Sequence, residues 1–371
     1  MQDQADIKFI RRALDLARQG IGLASPNPCV GAVLVDEHGE VIGAGFHTYG
    51  GVQHAEILAL EQAGGRANGA TLYINLEPCS HHGRTGPCAD ALVKAGIDRL
   101  VACMQDPNPA VAGRGFQRLR DAGIDVNIGM FESEARVLNE AFAKYIRTGQ
   151  PLVTLKSAMS LDGMIARPNA PGRQYITGEQ ARAHVQELRH SSDAILVGIG
   201  TVLADDPLLT DRSGLPRRRP LLRVVLDSHL RLKADSRLVK TAQSDVVVFY
   251  SSDDQPQADK LRSRGVCLER LASAEGLLDI PAAINKLGSF QITSLLVEGG
   301  SRVNAAFLSS GVADKVFLYY APKILSDGVP FIANKFKLNK PAALNSVRFH
   351  QFGDDFAVEG YLCDPYAVPT T

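Results

Sequence analysis

The residues with the plainest chemical potential lie between His54 and Cys88: His54-Ala55-Glu56, then Pro78-Cys79, then Cys88. One imidazole and two thiolates can hold a zinc ion in three of its four tetrahedral positions and leave the last for a water, the ligand count of a catalytic centre. Zinc lowers the pKa of a bound water to about 7, so hydroxide is available near neutrality as a nucleophile. Glu56 is placed to take that proton and deliver it to a leaving amine. His-x-Glu with a later Pro-Cys and a second cysteine is the signature of zinc deaminases acting on cytosine and adenine, in which the glutamate is the general acid and base. The bland alternatives are a core histidine, two packed thiols, or half of a structural site completed by His81 or His82.

The elements must present these groups together. Neighbours two apart on a helix point roughly 200° away from each other. His54 and Glu56 therefore serve one site only if a helix starting near His54 offers its first turn end-on. Ahead of it, residues 6–19 place Ile7, Ile10, Leu14 and Ala17 at helical spacing, with Arg11, Arg12 and Arg18 left to solvent. Residues 29–35 and 41–46 flank a turn with Gly39 and read as a hairpin. A helix at 54–62, a strand at 70–75, a helix at 88–95 and a strand at 99–104 then alternate, which implies a sheet covered by helices. One amphipathic helix is expected over 132–147. Thr148-Gly149-Gln150-Pro151 breaks it, and the domain boundary is placed there, giving domains 1–148 and 151–371.

The second half starts afresh with a strand at 152–156, a loop rich in Gly, Pro and Asn reaching Gly172, and a helix at 178–190. Strands at 194–197, 222–226, 246–250 and 294–297 are short Val/Leu/Ile runs of the kind buried in mainly parallel sheets. Segments 315–320 and 356–362 alternate more and are expected as antiparallel edges. Arg217-Arg218-Arg219-Pro220 reads as a solvated basic loop.

Composition narrows the function classes. The chain has 371 residues, 45% of them apolar, with 40 basic and 40 acidic side chains. The length gives a prior of two domains, and the balanced charge gives no electrostatic reason to expect DNA or RNA as partner. The first thirty residues do not resemble a signal peptide, and no stretch approaches a membrane span. Six cysteines in so long a chain argue for reduced thiols in cytoplasm. Cys29, Cys103, Cys267 and Cys363 are expected as buried small hydrophobes.

Cys79 and Cys88 are separated by eight residues, Ser80-His81-His82-Gly83-Arg84-Thr85-Gly86-Pro87, which departs from the short spacing of nucleic-acid editing enzymes. With Asn27-Pro28, Gly45-Phe46-His47, Gly50-Gly51-Val52-Gln53-His54-Ala55-Glu56 and Asp106-Pro107-Asn108-Pro109, this stretch resembles the bacterial riboflavin-biosynthesis deaminases, in which the domain is fused to a reductase. The resemblance implies a cytidine-deaminase-like α/β/α domain acting on a diaminopyrimidinone that carries a phosphoribosylamino group. His54, Cys79 and Cys88 would hold the zinc and Glu56 would move the proton. Asn27, His47, His81 and Asn108 would contact the substrate. Asn27 before a proline and Asn108 in Asp-Pro-Asn-Pro are also ordinary turn residues.

No Gly-x-Gly-x-x-Gly lies between a strand and a helix in the second half. Leu295-Leu296-Val297-Glu298-Gly299-Gly300-Ser301 instead runs a strand through glycines into a helix N-terminus, which can face a phosphate. Lys156-Ser157-Ala158-Met159-Ser160-Leu161-Asp162-Gly163, Tyr175-Ile176-Thr177-Gly178 and Gly198-Ile199-Gly200-Thr201-Val202-Leu203-Ala204-Asp205-Asp206-Pro207 are similar to the reductase half of the same family. That resemblance implies a dihydrofolate-reductase-like α/β fold, NADPH as cofactor, and reduction of an opened ribosyl group to ribityl. Ala158, Thr201, Asp205, Ser228, Gly300, Ser301, Arg302, Val303, Asn304, Ala305 and Ala306 would face the cofactor. Tyr175, Arg189, Leu209, Arg212 and Glu298 would face the substrate, and Asp205 is the first choice for a catalytic polar group. A homo-oligomer is expected on the same ground. Two rivals remain: an RNA or nucleoside deaminase with a C-terminal targeting module, and a structural zinc domain joined to a nucleotide-binding regulator.

Overall fold

The computed structural model describes residues 2–81, 86–167, 175–274, 276–333 and 341–367. His82 and residues 168–172 of the Gly/Pro loop lie outside them. The chain divides into two compact units, one running to Thr148 and joined by Pro216–Arg219, the other formed by Gly149–Leu215 and Pro220–Ala367.

In the first unit, helix α1 (Gln2–Arg18) packs through Phe9, Ile10, Ala13, Leu14 and Ala17. Ile7, expected on that stripe, is 40% exposed instead. Strands β1 (Gly31–Val35) and β2 (Val41–Phe46) form the expected hairpin, followed by α2 (Ala55–Ala63), β3 (Thr71–Ile74), α3 (Cys88–Ala95), β4 (Arg99–Ala102), α4 (Arg114–Asp121) and β5 (Asp125–Ile128). Among the described residues they make one five-stranded sheet in the order β2-β1-β3-β4-β5. β1 is antiparallel to β2 and β3, and the β3–β4 and β4–β5 pairs are parallel. The sequence did not announce α4 or β5. Phe116 and Leu119 are the large apolar residues of α4, and β5 is mostly exposed, so neither shows a clear period.

The single helix expected over 132–147 is two, α5 (Glu132–Leu138) and α6 (Glu140–Thr148). The break is Asn139, whose buried amide accepts from Cys29 N at 2.8 Å and donates to Cys29 O at 3.1 Å. Pairing both ways with one backbone residue satisfies the chain entering β1, and it outweighs continuing the helix. Pro216–Arg219 is not simply solvated. Its arginines are half-buried within this unit, and the Arg218 guanidinium lies 3.7 Å over the Tyr49 ring.

The second unit contains β6 (Leu152–Ser160), β7 (Met164–Ala166), α7 (Glu179–His190), β8 (Ala194–Gly198), α8 (Ile199–Asp205), β9 (Leu222–Leu226), α9 (Arg237–Lys240), β10 (Val246–Tyr250), α10 (Gln255–Arg262) and β11 (Val266–Arg270). After these come β12 (Ser273–Ala274), β13 (Leu277–Leu278), α11 (Ile280–Ser289), β14 (Ser294–Val297), α12 (Ser301–Ser309), β15 (Lys315–Ala321), β16 (Val329–Pro330), β17 (Asn345–Phe352) and β18 (Asp355–Tyr361). The main sheet among the described residues has the order β11-β10-β9-β8-β14-β6-β15-β18-β17, parallel as far as β15.

The segments expected as edges are interior. β15 lies between β6, to which it is parallel, and β18, to which it is antiparallel; β18 is covered in turn by β17. The alternation misled because β17 itself, Asn-Ser-Val-Arg-Phe-His-Gln-Phe, is largely exposed and has no apolar run to announce it. Cys267 and Cys363, expected to be buried, are exposed, Cys363 donating to Asp314 Oδ1 at 2.9 Å. Among the described residues no helix is long and apolar enough to cross a membrane.

Candidate active sites

His54 is the N-cap of α2, in extended conformation (φ −78°, ψ 157°), so the helix presents its first turn end-on with Glu56 inside it. Cys88 opens α3, and its backbone N–H donates to Cys79 Sγ at 3.3 Å while Ala89 N donates to Cys79 O. The starts of two helices thus converge on one point, where their free N–H groups favour negative sulfur. Cys79 Sγ lies 3.5 Å and Cys88 Sγ 3.2 Å from His54 Nδ1, and the three ligand atoms all fall within 4.8 Å of one another. Tetrahedral bonds of about 2.3 Å to sulfur and 2.1 Å to nitrogen need ligand atoms roughly 3.5–4 Å apart, so a zinc ion fits.

Hydrogen bonding from Cys88, and from His54, outweighs burial and holds the Cys79 thiol below its ordinary value, while the bond to Cys79 and burial push the Cys88 thiol up, as for two thiols that share one proton. Glu56 is 3% exposed, and burial pushes its carboxyl up to about 7, where one residue can both accept and return a proton. His47 Nδ1 is 2.9 Å from Gln53 O, which cannot donate, so Nδ1 carries the proton and Nε2 accepts from Asn27 Nδ2 at 3.0 Å. The ring of His47 stands edge-on to that of His54, 5.3 Å between centroids.

His81 is exposed, and Asn108 closes a turn by accepting from Ala110 N at 3.0 Å. Glu77 was missed in the sequence. Its buried carboxylate accepts from Asp106 N, Gly113 N, Gly115 N and Phe116 N, tying the Cys79 loop to α4. Its position directly before Pro78-Cys79 was the signal available.

In the second unit the middle of β6 and the C-terminal ends of β8, β9 and β14 open onto a cavity of about 1160 Å³. Ala158, Thr201, Asp205, Ser228, Gly300, Ser301, Arg302, Val303 and Ala306 line it, as do Arg189, Leu209 and Glu298. Asn304 and Ala305 do not. They turn inward on α12, and Asn304 Nδ2 donates to Phe331 O at 3.1 Å. Tyr175 and Arg212 are exposed and stand outside the lining. Arg189 grips Glu298 with two bonds, Nε to Oε1 at 2.7 Å and Nη2 to Oε2 at 3.1 Å, and donates to Thr210 O, fixing the chain beside Leu209. Lys156, quoted in the sequence motif but given no role, sits 3.7 Å from Glu298 Oε2. Asp205 is exposed on the cavity wall at the end of α8.

A dinucleotide suits this donor set. Ser301 Oγ is buried at the start of α12 without a hydrogen-bond partner among the described residues. A Cβ on Gly299 would lie 2.7 Å from Val303 Cγ1, and one on Gly198 would lie 2.7 Å from Val303 Cγ2, so bare backbone is required where strand meets helix. An unpartnered hydroxyl, first-turn N–H groups and close-packed glycines make a cradle for a pyrophosphate.

Comparison with known proteins places both units. A model for the cytidine and deoxycytidylate deaminase zinc-binding region matches residues 3–104, and one for the RibD C-terminal domain matches residues 151–358. The chain is 44% identical to the riboflavin biosynthesis protein RibD of Escherichia coli, over 88% of this chain and 89% of that one. It is 43% identical to its namesake in Actinobacillus pleuropneumoniae, over 86% and 84%. Among solved structures, RibD of Acinetobacter baumannii superposes with a TM-score of 0.83 at 36% identity, covering 96% of this chain and 99% of that one. A Thermotoga maritima diaminohydroxyphosphoribosylaminopyrimidine deaminase/5-amino-6-(5-phosphoribosylamino)uracil reductase gives 0.83 at 35%, covering 98% and 100%.

Proposed function

The chain belongs to the RibD family of riboflavin-biosynthesis proteins, and from that premise we propose how its residues divide the two reactions. It is a bifunctional enzyme, with a zinc-dependent cytidine-deaminase-like domain followed by an NADPH-dependent dihydrofolate-reductase-like domain. The deaminase domain is taken as 1–148 and the reductase as 151–371. The first reaction replaces the ring amine of 2,5-diamino-6-(5-phosphoribosylamino)pyrimidin-4-one by oxygen and releases ammonia. The second adds hydride and a proton to the opened ribosyl group, giving ribityl.

The observation that carries the first assignment is the meeting of His54, Cys79 and Cys88 beside buried Glu56. His54, Cys79 and Cys88 hold the zinc, which supplies a hydroxide nucleophile when bound. Glu56 accepts the water's proton and hands it to the departing amine; its raised pKa suits both directions. Asn27, held by His47, offers its amide oxygen to the ring, and His81 and Asn108 reach the phosphoribosyl end. In the reductase, α12 and its glycines receive the pyrophosphate, while Thr201, Asp205 and Ser228 border the coenzyme. Arg189, paired with Glu298, holds the wall on which substrate is oriented beside the nicotinamide, and orientation supplies most of such a reaction's advantage. Tyr175 and Arg212, both exposed, complete the substrate contacts from outside the cavity lining. Six cysteines in so long a chain support a cytoplasmic setting, and the family resemblance supports a homo-oligomer.

The test is to supply the diaminopyrimidine substrate with and without NADPH and follow both products. Deaminated product alone without NADPH, and ribityl product with it, are expected. Glu56→Gln keeps zinc and loses deamination. Cys79→Ser loses deamination while the deaminated intermediate is still reduced. Turnover by Glu56→Gln at the wild-type rate would overturn the mechanism.

A further inference from the structure

Asn27 and His47, the paired side chains beside the deaminase centre, both stand on irregular chain. Asn27 lies between the end of α1 at Arg18 and the start of β1 at Gly31, and His47 between the end of β2 at Phe46 and the start of α2 at Ala55. One hydrogen bond, Asn27 Nδ2 to His47 Nε2 at 3.0 Å, joins the two side chains and leaves the Asn27 amide oxygen for the pyrimidine. That oxygen is placed only as well as the two loops that carry the pair.

Part of the support is local. Leu23 N and Ala24 N donate to Gly20 O, and Asn27 N donates to Ala24 O at 3.0 Å, folding the first loop on itself. Tyr49 N donates to Leu23 O at 3.1 Å and brings the second loop against the first. The rest comes from a segment 193 residues further along the chain, Pro216–Arg219, which belongs to the first unit. Arg218 N donates to Gly22 O at 2.8 Å, and Arg218 Nη1 donates to Ser25 O. Arg219 Nη2 adds a 3.5 Å bond to Ser25 Oγ.

The Arg218 guanidinium that binds Ser25 also lies 3.7 Å over the Tyr49 ring. One side chain therefore grips both loops, at the residue two before Asn27 and the residue two after His47. A planar guanidinium can stack by its face while donating within its plane, which a lysine ammonium cannot do. Arg218 and Tyr49 are both half-buried, where a cation over a ring attracts more strongly than in open water. Pro216 and Pro220 bracket the three arginines and restrict φ at both ends of the segment.

We infer that Arg218 is a positioning residue of the deaminase: by clamping Ser25 to Tyr49 it sets the Asn27–His47 pair, and with it the orientation of the pyrimidine beside Glu56. The inference rests on the reading of Asn27 as a substrate contact. Arg218 acts on how the ring is held and leaves the proton-carrying Glu56 alone, so KM should move and kcat should not.

Steady-state deamination of the diaminopyrimidine by the full-length, zinc-loaded protein tests this. Arg218→Ala should raise KM about 10-fold and keep kcat within about threefold, with zinc content and the pH profile of kcat unchanged. Reduction of the deaminated intermediate should stay within about twofold of wild type, because the clamp lies in the first unit. Tyr49→Phe, which keeps the ring, should match wild type, and Tyr49→Leu should reproduce the rise in KM. In an Asn27→Ala background, itself raised in KM, Arg218→Ala should add less than about twofold, since the group it acts through is already gone. A wild-type KM in Arg218→Ala, fully multiplicative losses in the double variant, or an equal loss of reduction overturns the inference while Asn27 keeps its role. A wild-type KM in Asn27→Ala overturns the substrate reading of Asn27, and the inference falls with it. Thermal melting identifies an Arg218→Ala protein that has merely unfolded; Tyr49→Leu against Tyr49→Phe then supplies the same comparison from the other side of the clamp.

Discussion

Glu77 Oε1 accepts a 2.8 Å hydrogen bond from Gly115 N, at a position where an added Cβ on Gly115 would lie 2.0 Å from Pro78 O. The loop carrying Cys79 is thus pressed against the start of α4 and held there by a carboxylate with four backbone donors. An acceptor-only group is what that nest demands. Glu77→Gln turns an amide NH2 toward N–H groups on one side or the other. It should lower zinc affinity at least about tenfold and destabilise the protein by roughly 2–3 kcal/mol. Chelator competition and thermal melting measure the two effects; wild-type values in both would show the cradle to be incidental.

A second buried carboxylate fastens α1. Asp6, 3% exposed, receives both Arg99 Nη1 and Nη2, at 2.8 and 2.7 Å, and the Tyr73 hydroxyl at 2.7 Å. The hydrogen bond from Arg99 is the largest influence and holds the Asp6 carboxyl below its ordinary value. Because the folded state prefers the ionised form, the stabilisation is present above the unfolded value near pH 4 and is lost as pH falls through the lower folded value. Asp6→Asn should therefore cost about 3 kcal/mol near pH 7 and progressively less below pH 4. A penalty independent of pH between 2 and 7 would mean that charge is not the cause.

These two carboxylates show where the sequence was legible. His54, Glu56, Cys79 and Cys88 could be read directly, because metal chemistry restricts residue type and spacing, and the helix beginning at His54 followed from geometry. The buried strands of the second unit were nearly as plain, since Leu222–Leu226, Val246–Tyr250 and Ser294–Val297 are apolar runs interrupted only by Arg223 and Ser294. Glu77 and Asn139 were not, because their partners are backbone groups 29 to 39 and 110 residues away, which no local pattern encodes. The same holds for β17, whose exposed face leaves no periodicity, and for Lys156, whose role depends on Glu298 arriving from another strand.

The Arg189–Glu298 pair leads to a coupling prediction. Both side chains are largely buried, at 8% and 15% exposure, so removing one strands the other's charge. Arg189→Ala and Glu298→Ala should each impair reduction by about 10²-fold or more, while the double variant loses much less than the product of the two. Because Arg189 also donates to Thr210 O, Glu298→Gln should be milder than Arg189→Ala. Strictly multiplicative losses would exclude the pair as one unit.

Metal removal separates the two chemistries. The thiol and imidazole ligands all come from the first unit, from the N-cap of α2, the loop before α3 and the first residue of α3. Among the described residues, those lining the cavity of the second unit include none of the three. Treatment with a strong zinc chelator should therefore abolish deamination of the diaminopyrimidine and leave NADPH-dependent reduction of the deaminated intermediate within about twofold. Adding back zinc should restore the first activity. The loss should be steeper at low pH, because protons compete with the metal for Cys79, Cys88 and His54. Parallel loss of both activities in a protein that keeps its far-ultraviolet circular dichroism would require the metal to act on the reductase as well.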